Sequence, residues 1–361
     1  MHKQRLIHRA KDRAERILNR RIAASDRFPY IEFQKRFLSV WMDITSRCNL
    51  SCMICWRSEK GSSASQKSDI QESLFLKIAR EIFPRTAELF LSCGAEPLIA
   101  RNLLAMLDVI DRADIPFVAF TTNALLFNED IARQVIEAGV NEIYVSFDGA
   151  TEETFAKIRG GASMSKVIEK IQLVNRVKRD CSSAVPKIEL HVTLMRSNIR
   201  EIEKIVEIAH DLELPRVTAL HLWPHLGLDE ENLYSHKRLY NECIARARKR
   251  ARELGVELDA PPQFGTKESD SPYIQKQEIG AGQSCRLPWN STVIRPDGQV
   301  APCSFMYNET AFGNLNEKSF RDIWYGPNYQ ALREEIRCNN LRDFCARCPA
   351  HFVKAKQLGN S

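Results

Sequence analysis

From residue 38 onward the chain alternates short apolar strands with amphipathic helices, and this rhythm admits few folds. Candidate strands fall at 38–45, 87–92, 117–122, 142–148, 187–194 and 216–223. Candidate helices lie between them at 71–82, 101–113, 128–138, 164–179 and 199–212. Strand, helix, strand at this spacing predicts parallel βαβ units. Six such strands predict an α/β fold, a partial (β/α)6 barrel of the TIM type. A charged helix at 236–254 follows, and residues 259–284, rich in Pro, Gly and Ser, read as a linker. The expected divisions are a basic extension at 1–36, the partial barrel at 37–230, helix and linker at 231–284, and a small Cys-rich α+β extension at 285–361.

Charge is concentrated at the front. Residues 1–36 hold eleven Lys/Arg against four Asp/Glu, while the whole chain carries only +6, so the body is nearly neutral. That body is not a nucleic-acid-binding surface. Residues 3–24 place Leu6, Ile7, Ala10, Ala14, Ile17, Leu18 and Ile22 at helical spacing. Such a helix either docks on its own domain or makes peripheral contact with an anionic membrane or partner. No apolar run is long enough to cross a bilayer, and no secretory signal opens the chain. The expected compartment is the cytoplasm.

There, eleven cysteines point to metal ligation or thiol chemistry rather than disulfides. Cys48, Cys52 and Cys55 fall within eight residues, directly after the first strand. Barrel enzymes place their active sites at that end of the strands. Three thiolates can hold three irons of a cubane cluster and leave one iron open. Zinc is the alternative, although three-then-two spacing is unusual for it. The stretch resembles the motif of the radical S-adenosylmethionine (SAM) superfamily. That resemblance implies a [4Fe-4S] cluster whose open iron chelates SAM. One electron then cleaves SAM to methionine and a 5′-deoxyadenosyl radical, which takes hydrogen from a substrate.

Later strand ends resemble the same family in order, over about residues 38–225. Cys93-Gly94-Ala95-Glu96-Pro97 is similar to a Gly-Gly-Glu-Pro segment whose carbonyls receive the methionine ammonium. Read alone, it is an ordinary β–α turn. Thr122-Asn123 resembles a Thr-Asn-Gly segment, with Ala124 in place of Gly. Ser146-Phe147-Asp148-Gly149 is close to a common family pattern, and these strand ends imply contacts to ribose and the methionine carboxylate. Arg159 and Asn198 are expected near the cofactor on the same grounds. In strand 187–194, Ile188, Leu190, Val192 and Leu194 should face the helices, leaving Glu189, His191 and Thr193 toward the barrel interior. Glu189 and His191 are therefore the candidates for a catalytic role. His191, His221 and His225 also read as hydrogen-bonded core histidines.

In the last quarter, Pro296-Asp297-Gly298 reads as a hairpin turn between 292–295 and 299–301, carrying Cys303 back toward Cys285. Cys345 and Cys348 follow. The module resembles the SPASM and twitch extensions of the same superfamily. Two fully thiolate-bound clusters need eight cysteines, and this module has five. One auxiliary [4Fe-4S] cluster on Cys285, Cys303, Cys345 and Cys348 is expected, with Cys338 spare and zinc the alternative metal. The resemblance implies a reductant such as flavodoxin or ferredoxin. It also implies a substrate, expected to be a sugar, aminocyclitol or other small molecule. A peptide is the alternative, and a non-catalytic iron–sulfur or zinc protein the second alternative.

Overall fold

The computed structural model describes residues 36–58, 68–92, 94–222, 227–265, 285–308, 311–346 and 348. The expected N-terminal helix, His225 and most of the linker lie outside the described residues.

The six expected strands form β1 (Leu38–Met42), β2 (Thr86–Phe90), β3 (Phe117–Thr122), β4 (Glu142–Ser146), β5 (Lys187–Leu194) and β6 (Arg216–His221). Helices α1 (Glu72–Glu81), α2 (Leu103–Arg112), α3 (Glu129–Glu137), α4 (Glu152–Ile158), α5 (Met164–Asp180) and α6 (Ile202–Asp211) connect them. The strands pair in parallel in sequence order. Right-handed crossovers in that order place every helix on one face. Val40, Leu89, Val118, Ile143, Leu190 and Val217 meet those helices in one buried core. The opposite face keeps its half-buried residues, as in a barrel interior.

Local chemistry starts several of these helices. Asn128, Thr151 and Ser163 accept hydrogen bonds from Ile131, Thr154 and Lys166 backbone N–H groups at the starts of α3, α4 and α5. Helix α7 (Lys237–Leu254) ends at Gly255, whose φ of +71° suits glycine.

Two features enlarge the expected sheet. β7 (Glu257–Asp259) pairs parallel with β6, giving a seventh parallel strand just before and into the stretch read as linker. Its three residues are too short to show periodicity. In the C-terminal module, β8 (Ser291–Ile294) and β9 (Gln299–Ala301) form the expected antiparallel hairpin. β8 also pairs parallel with β1, and β10 (Gly313–Asn314) follows β9, so one ten-stranded sheet runs through both parts, ordered β10-β9-β8-β1-β2-β3-β4-β5-β6-β7. The hairpin is backed by α8 (Phe320–Trp324) and α9 (Pro327–Arg337), which bury Trp324, Tyr329 and Leu332. Among the described residues, no helix is long and apolar enough to cross a membrane.

Candidate active site

The first cysteine loop leaves the end of β1 and is braced from both sides. Arg47 donates to Asp69 through Nε at 3.0 Å and Nη2 at 2.6 Å, and Nη2 also reaches the Ile99 carbonyl at 2.7 Å. The Glu96 N–H donates to the Arg47 carbonyl at 3.0 Å, tying the loop to the turn after β2. On the other side, Met53 N–H donates to the Ile158 carbonyl at 3.0 Å. Gly160 comes so near that a Cβ would stand 2.6 Å from the Ser51 carbonyl oxygen. Its φ of +66° is a second reason for glycine there.

The strand ends β2 to β5 are linked by buried polar contacts. Glu96 accepts from Thr122 Oγ1 at 2.6 Å, Asn123 N–H at 2.7 Å and Leu98 N–H at 3.2 Å. Asn123 Nδ2 donates to Asn49 Oδ1, inside the cysteine loop, at 2.8 Å. Ala124, standing where the resembled segment has Gly, keeps the left-handed backbone at φ +64°. Gly94 N–H donates to Asp43 Oδ1 at 3.2 Å, and Ser92 Oγ donates to the Ala95 carbonyl at 3.0 Å. Pro97 is buried and starts a short helical turn.

Asp148 follows β4 and is fully enclosed. It accepts from Thr193 N–H at 2.7 Å and from Arg159 Nη1 at 3.1 Å. Asn198 Nδ2 donates to the Asp148 and Thr193 carbonyls at 3.1 and 2.8 Å, while its Oδ1 accepts from Met195 N–H at 2.8 Å. Both donors of Asn198 are thus engaged in holding the ends of β4 and β5 together. Glu189 and His191 lie on the inner face with Ser146, which pairs in register with His191.

Electrostatics connect these groups to the thiols. Burial pushes the Cys52 thiol up to about 11, opposed by the Arg159 guanidinium. Burial also raises Cys48. Cys48, Cys52 and Cys55 lie within electrostatic range of one another. Cys48 and Cys52, raised in this way, lose their protons on binding metal. Burial raises Asp148 and Glu96 as well, Arg159 and the hydrogen bonds pulling the other way.

The C-terminal thiols form a second group. Cys303 is pushed up to about 12 and Cys345 to about 11, in both cases first by burial. Cys285 and Cys348 are electrostatic neighbours of both. Cys338 is exposed at the end of α9 and donates to Glu334 Oε1 at 3.1 Å. Cys243 is buried on α7 and Cys181 closes α5. Among the described residues, no three His, Cys, Asp or Glu groups gather around one point tightly enough for a single ion. A cluster distributes its thiolates over separate irons, and both donor sets, thiols without histidine, fit one.

The radical SAM superfamily model matches residues 42–209. The SPASM model, an iron–sulfur cluster-binding domain, matches residues 285–349. The chain belongs to the radical SAM superfamily and carries a SPASM domain. A [4Fe-4S] cluster, SAM and auxiliary iron–sulfur ligation are therefore its cofactor set. This radical SAM chain is 23% identical to the tungsten-containing aldehyde ferredoxin oxidoreductase cofactor-modifying protein of Pyrococcus furiosus, over 88% of this chain and 90% of that one. It is 27% identical to a probable GTP 3',8-cyclase of Sulfurisphaera tokodaii, over 54% of this chain and 59% of that relative. In fold it is similar to Streptococcus suis SuiB, solved with the precursor peptide SuiA. The TM-score is 0.64 at 17% identity, covering 88% of this chain and 70% of that one.

Sequence reasoning missed several residues that position the site. Asn49, Asp43 and Asp69 act through contacts across 22 to 74 residues of chain, which no local pattern reveals. Trp56, just past Cys55, packs within 2.8 Å of where a Gly94 Cβ would stand and lies 5.6 Å from the Tyr307 ring of the SPASM domain. The paired glycines at 160 and 161 are the one visible signal for the contact on Ser51.

Proposed function

We propose that this chain cleaves SAM reductively and uses the radical to oxidise or otherwise modify a small molecule, in the class of sugars and aminocyclitols. The observation that carries this reading is the contact chain at one end of the sheet. It runs from Asn49 through Asn123 to Glu96, and from Asp148 through Arg159 to the surroundings of Cys52. Cys48, Cys52 and Cys55 would hold the [4Fe-4S] cluster. When bound with SAM, that cluster supplies the electron that yields methionine and a 5′-deoxyadenosyl radical.

The chain's own residues have separate tasks here. Gly94, Ala95, Glu96 and Pro97 would shape the turn that receives the methionine end of SAM. Glu96 fixes that turn to Asn123 by hydrogen bonds. Ser146, Asp148 and Asn198 organise the ribose side, and Arg159 offsets negative charge beside Cys52. Cys285, Cys303, Cys345 and Cys348 would hold one auxiliary [4Fe-4S] cluster. A flavodoxin or ferredoxin is the expected reductant.

The small-molecule reading is supported by the relatives, named for cofactor modification and for GTP cyclisation. A peptide substrate is the second reading, favoured by the fold likeness to SuiB with its bound precursor peptide. Anaerobically reconstituted protein, given SAM and dithionite, should form 5′-deoxyadenosine. Alanine at Cys48, Cys52 and Cys55 should abolish it, and unchanged formation in that variant overturns the reading. Deuterium transfer from labelled sugars or from labelled peptides then separates the two substrate classes.

A further inference from the structure

Among the described residues, two contacts tie the SPASM domain to the turn after β2, and both end on Gly94. The first runs through the backbone. The Ile294 carbonyl, at the end of β8, accepts at 3.0 Å from the N–H of Asp43, which follows β1. Asp43 Oδ1 in turn accepts from Gly94 N–H at 3.2 Å. The second is aromatic. A Cβ on Gly94 would stand 2.8 Å from Trp56 Cζ2 and 3.2 Å from both Cε2 and Nε1. Three atoms of one indole at that range place the ring over the Gly94 Cα. The Gly94 φ lies outside the left-handed region, so the indole, rather than the backbone, requires glycine there.

A tilted ring pair carries the aromatic contact into the SPASM domain. The Trp56 and Tyr307 centroids are 5.6 Å apart, with planes at 54°. Each ring also has a guanidinium over it. Arg57 lies 5.7 Å from the Trp56 centroid, and Arg295, next after Ile294, lies 5.4 Å from that of Tyr307. Arg57 is itself anchored, donating through Nη2 to the Ser46 carbonyl in the cysteine loop. Ring pairing and cation–π contact together restrict where either ring can sit.

The two rings adjoin the two cysteine groups. Trp56 directly follows Cys55. Tyr307 ends a short helical turn that begins at Cys303: Met306 N–H donates to the Cys303 carbonyl at 3.1 Å, and Tyr307 N–H to the Ser304 carbonyl at 3.2 Å. Iron on the Cys303 thiolate would fix the start of that turn, and with it the ring at its end. Trp56 in turn fills the space toward which the Gly94 backbone could otherwise relax. A metal-binding event in one domain therefore has a packed route to a backbone turn in the other.

We propose that Trp56 is a positioning residue for SAM, held on Gly94 by Tyr307, through which iron binding at Cys303 tightens SAM binding at the first cluster. This rests on the reading that the turn from Gly94 to Pro97 receives the methionine end of SAM, and it places control of that turn in the SPASM domain. Coupling of this kind is reciprocal, so bound SAM also tightens iron at Cys303. Trp56 and Tyr307 act by placement and exchange no electrons in this proposal.

The test is equilibrium dialysis of SAM against the anaerobically reconstituted full chain, without reductant, with iron per chain measured alongside. Trp56→Leu and Tyr307→Leu should each weaken SAM binding about tenfold and keep the first cluster's iron. Tyr307→Phe keeps the ring and should restore the parent's affinity. Alanine at Cys285, Cys303, Cys345 and Cys348 should weaken SAM binding about fivefold in the parent. In Trp56→Leu the same change should add nothing, because the route is already cut, and adding Tyr307→Leu should likewise add nothing. The proposal is overturned if Trp56→Leu binds SAM as the parent does, if the combined losses multiply, or if a folded Trp56→Leu loses the first cluster's iron. Should Trp56→Leu fail to fold, Tyr307→Leu against Tyr307→Phe decides on the same affinities. Gly94→Ala, whose Cβ displaces the indole, separates the underlying reading. If Gly94→Ala alone weakens SAM binding, the turn reading stands and the coupling falls; if neither it nor Trp56→Leu does, the turn reading itself falls.

Discussion

Gly160 rests against Ser51, where any Cβ would stand 2.6 Å from the Ser51 carbonyl oxygen. Ser51 precedes Cys52, so this contact sets the position of the cysteine loop against residues 158–160. Gly160→Ala should destabilise the protein by about 3 kcal/mol, about 1 from the left-handed backbone and about 2 from the collision. It should also lower bound iron per chain. Gly161→Ala is the comparison, with φ +84° but nothing within 4 Å of an added Cβ. It should lose only about 1 kcal/mol. Urea unfolding and iron analysis check both, and equal losses would discard the Ser51 contact as the cause.

Asp148 and Arg159 are a buried ion pair, with side chains 2% and 11% exposed. Removing one partner strands the other. Arg159→Met should cost about 3–5 kcal/mol. Asp148→Asn combined with Arg159→Met should recover part of that loss, because the neutral amide still offers an oxygen to Thr193 N–H and leaves no uncompensated charge. Chemical denaturation of the single and double variants measures the difference.

The SPASM thiols make an iron prediction. Alanine at Cys285, Cys303, Cys345 and Cys348 together should remove the iron of one cluster and leave that held by Cys48, Cys52 and Cys55. Cys338→Ala should change nothing, since Cys338 is exposed and turned to Glu334. Iron and sulfide analysis with visible absorption decides, and iron loss in Cys338→Ala would make it a ligand.

His221 gives a pH prediction. Its ring sits among Tyr234, Tyr240 and Phe264, centroids 4.8 to 5.3 Å away, and its Nδ1 is buried without a hydrogen-bond partner. Burial lowers it from 6.5 to about 4. The unfolded chain therefore takes the proton first. This contribution is fully present above pH 6.5 and is lost as pH falls toward 4. Between pH 7.5 and 5 it should amount to about 2 kcal/mol. His221→Phe keeps the ring contacts and should remove that part of the acid sensitivity in urea unfolding. An unchanged acid limb would dismiss it.

The fold was legible where periodicity carried it. All six expected parallel strands lie within a few residues of their expected positions, because buried alternation and helical spacing are local signals. β7 was not legible, since three residues cannot show a period. The pairing of β8 with β1 was not legible either, because it joins segments some 250 residues apart. His221 reads from the sequence as a hydrogen-bonded core histidine, yet its Nδ1 has no partner. Glu96 reads as part of a cofactor turn, and only the fold shows its carboxylate gripping Thr122 and Asn123.

By itself the sequence determined the chemistry: the spacing of Cys48, Cys52 and Cys55, and which strand ends carry Glu96, Asn123 and Asp148. Spacing along the chain is covalent, so it is fixed before any fold forms. Tertiary structure decided the arrangement around them. Arg159 within electrostatic range of Cys52, Gly160 against Ser51, and Trp41 stacked on Phe90 all depend on segments that meet only after the sheet forms.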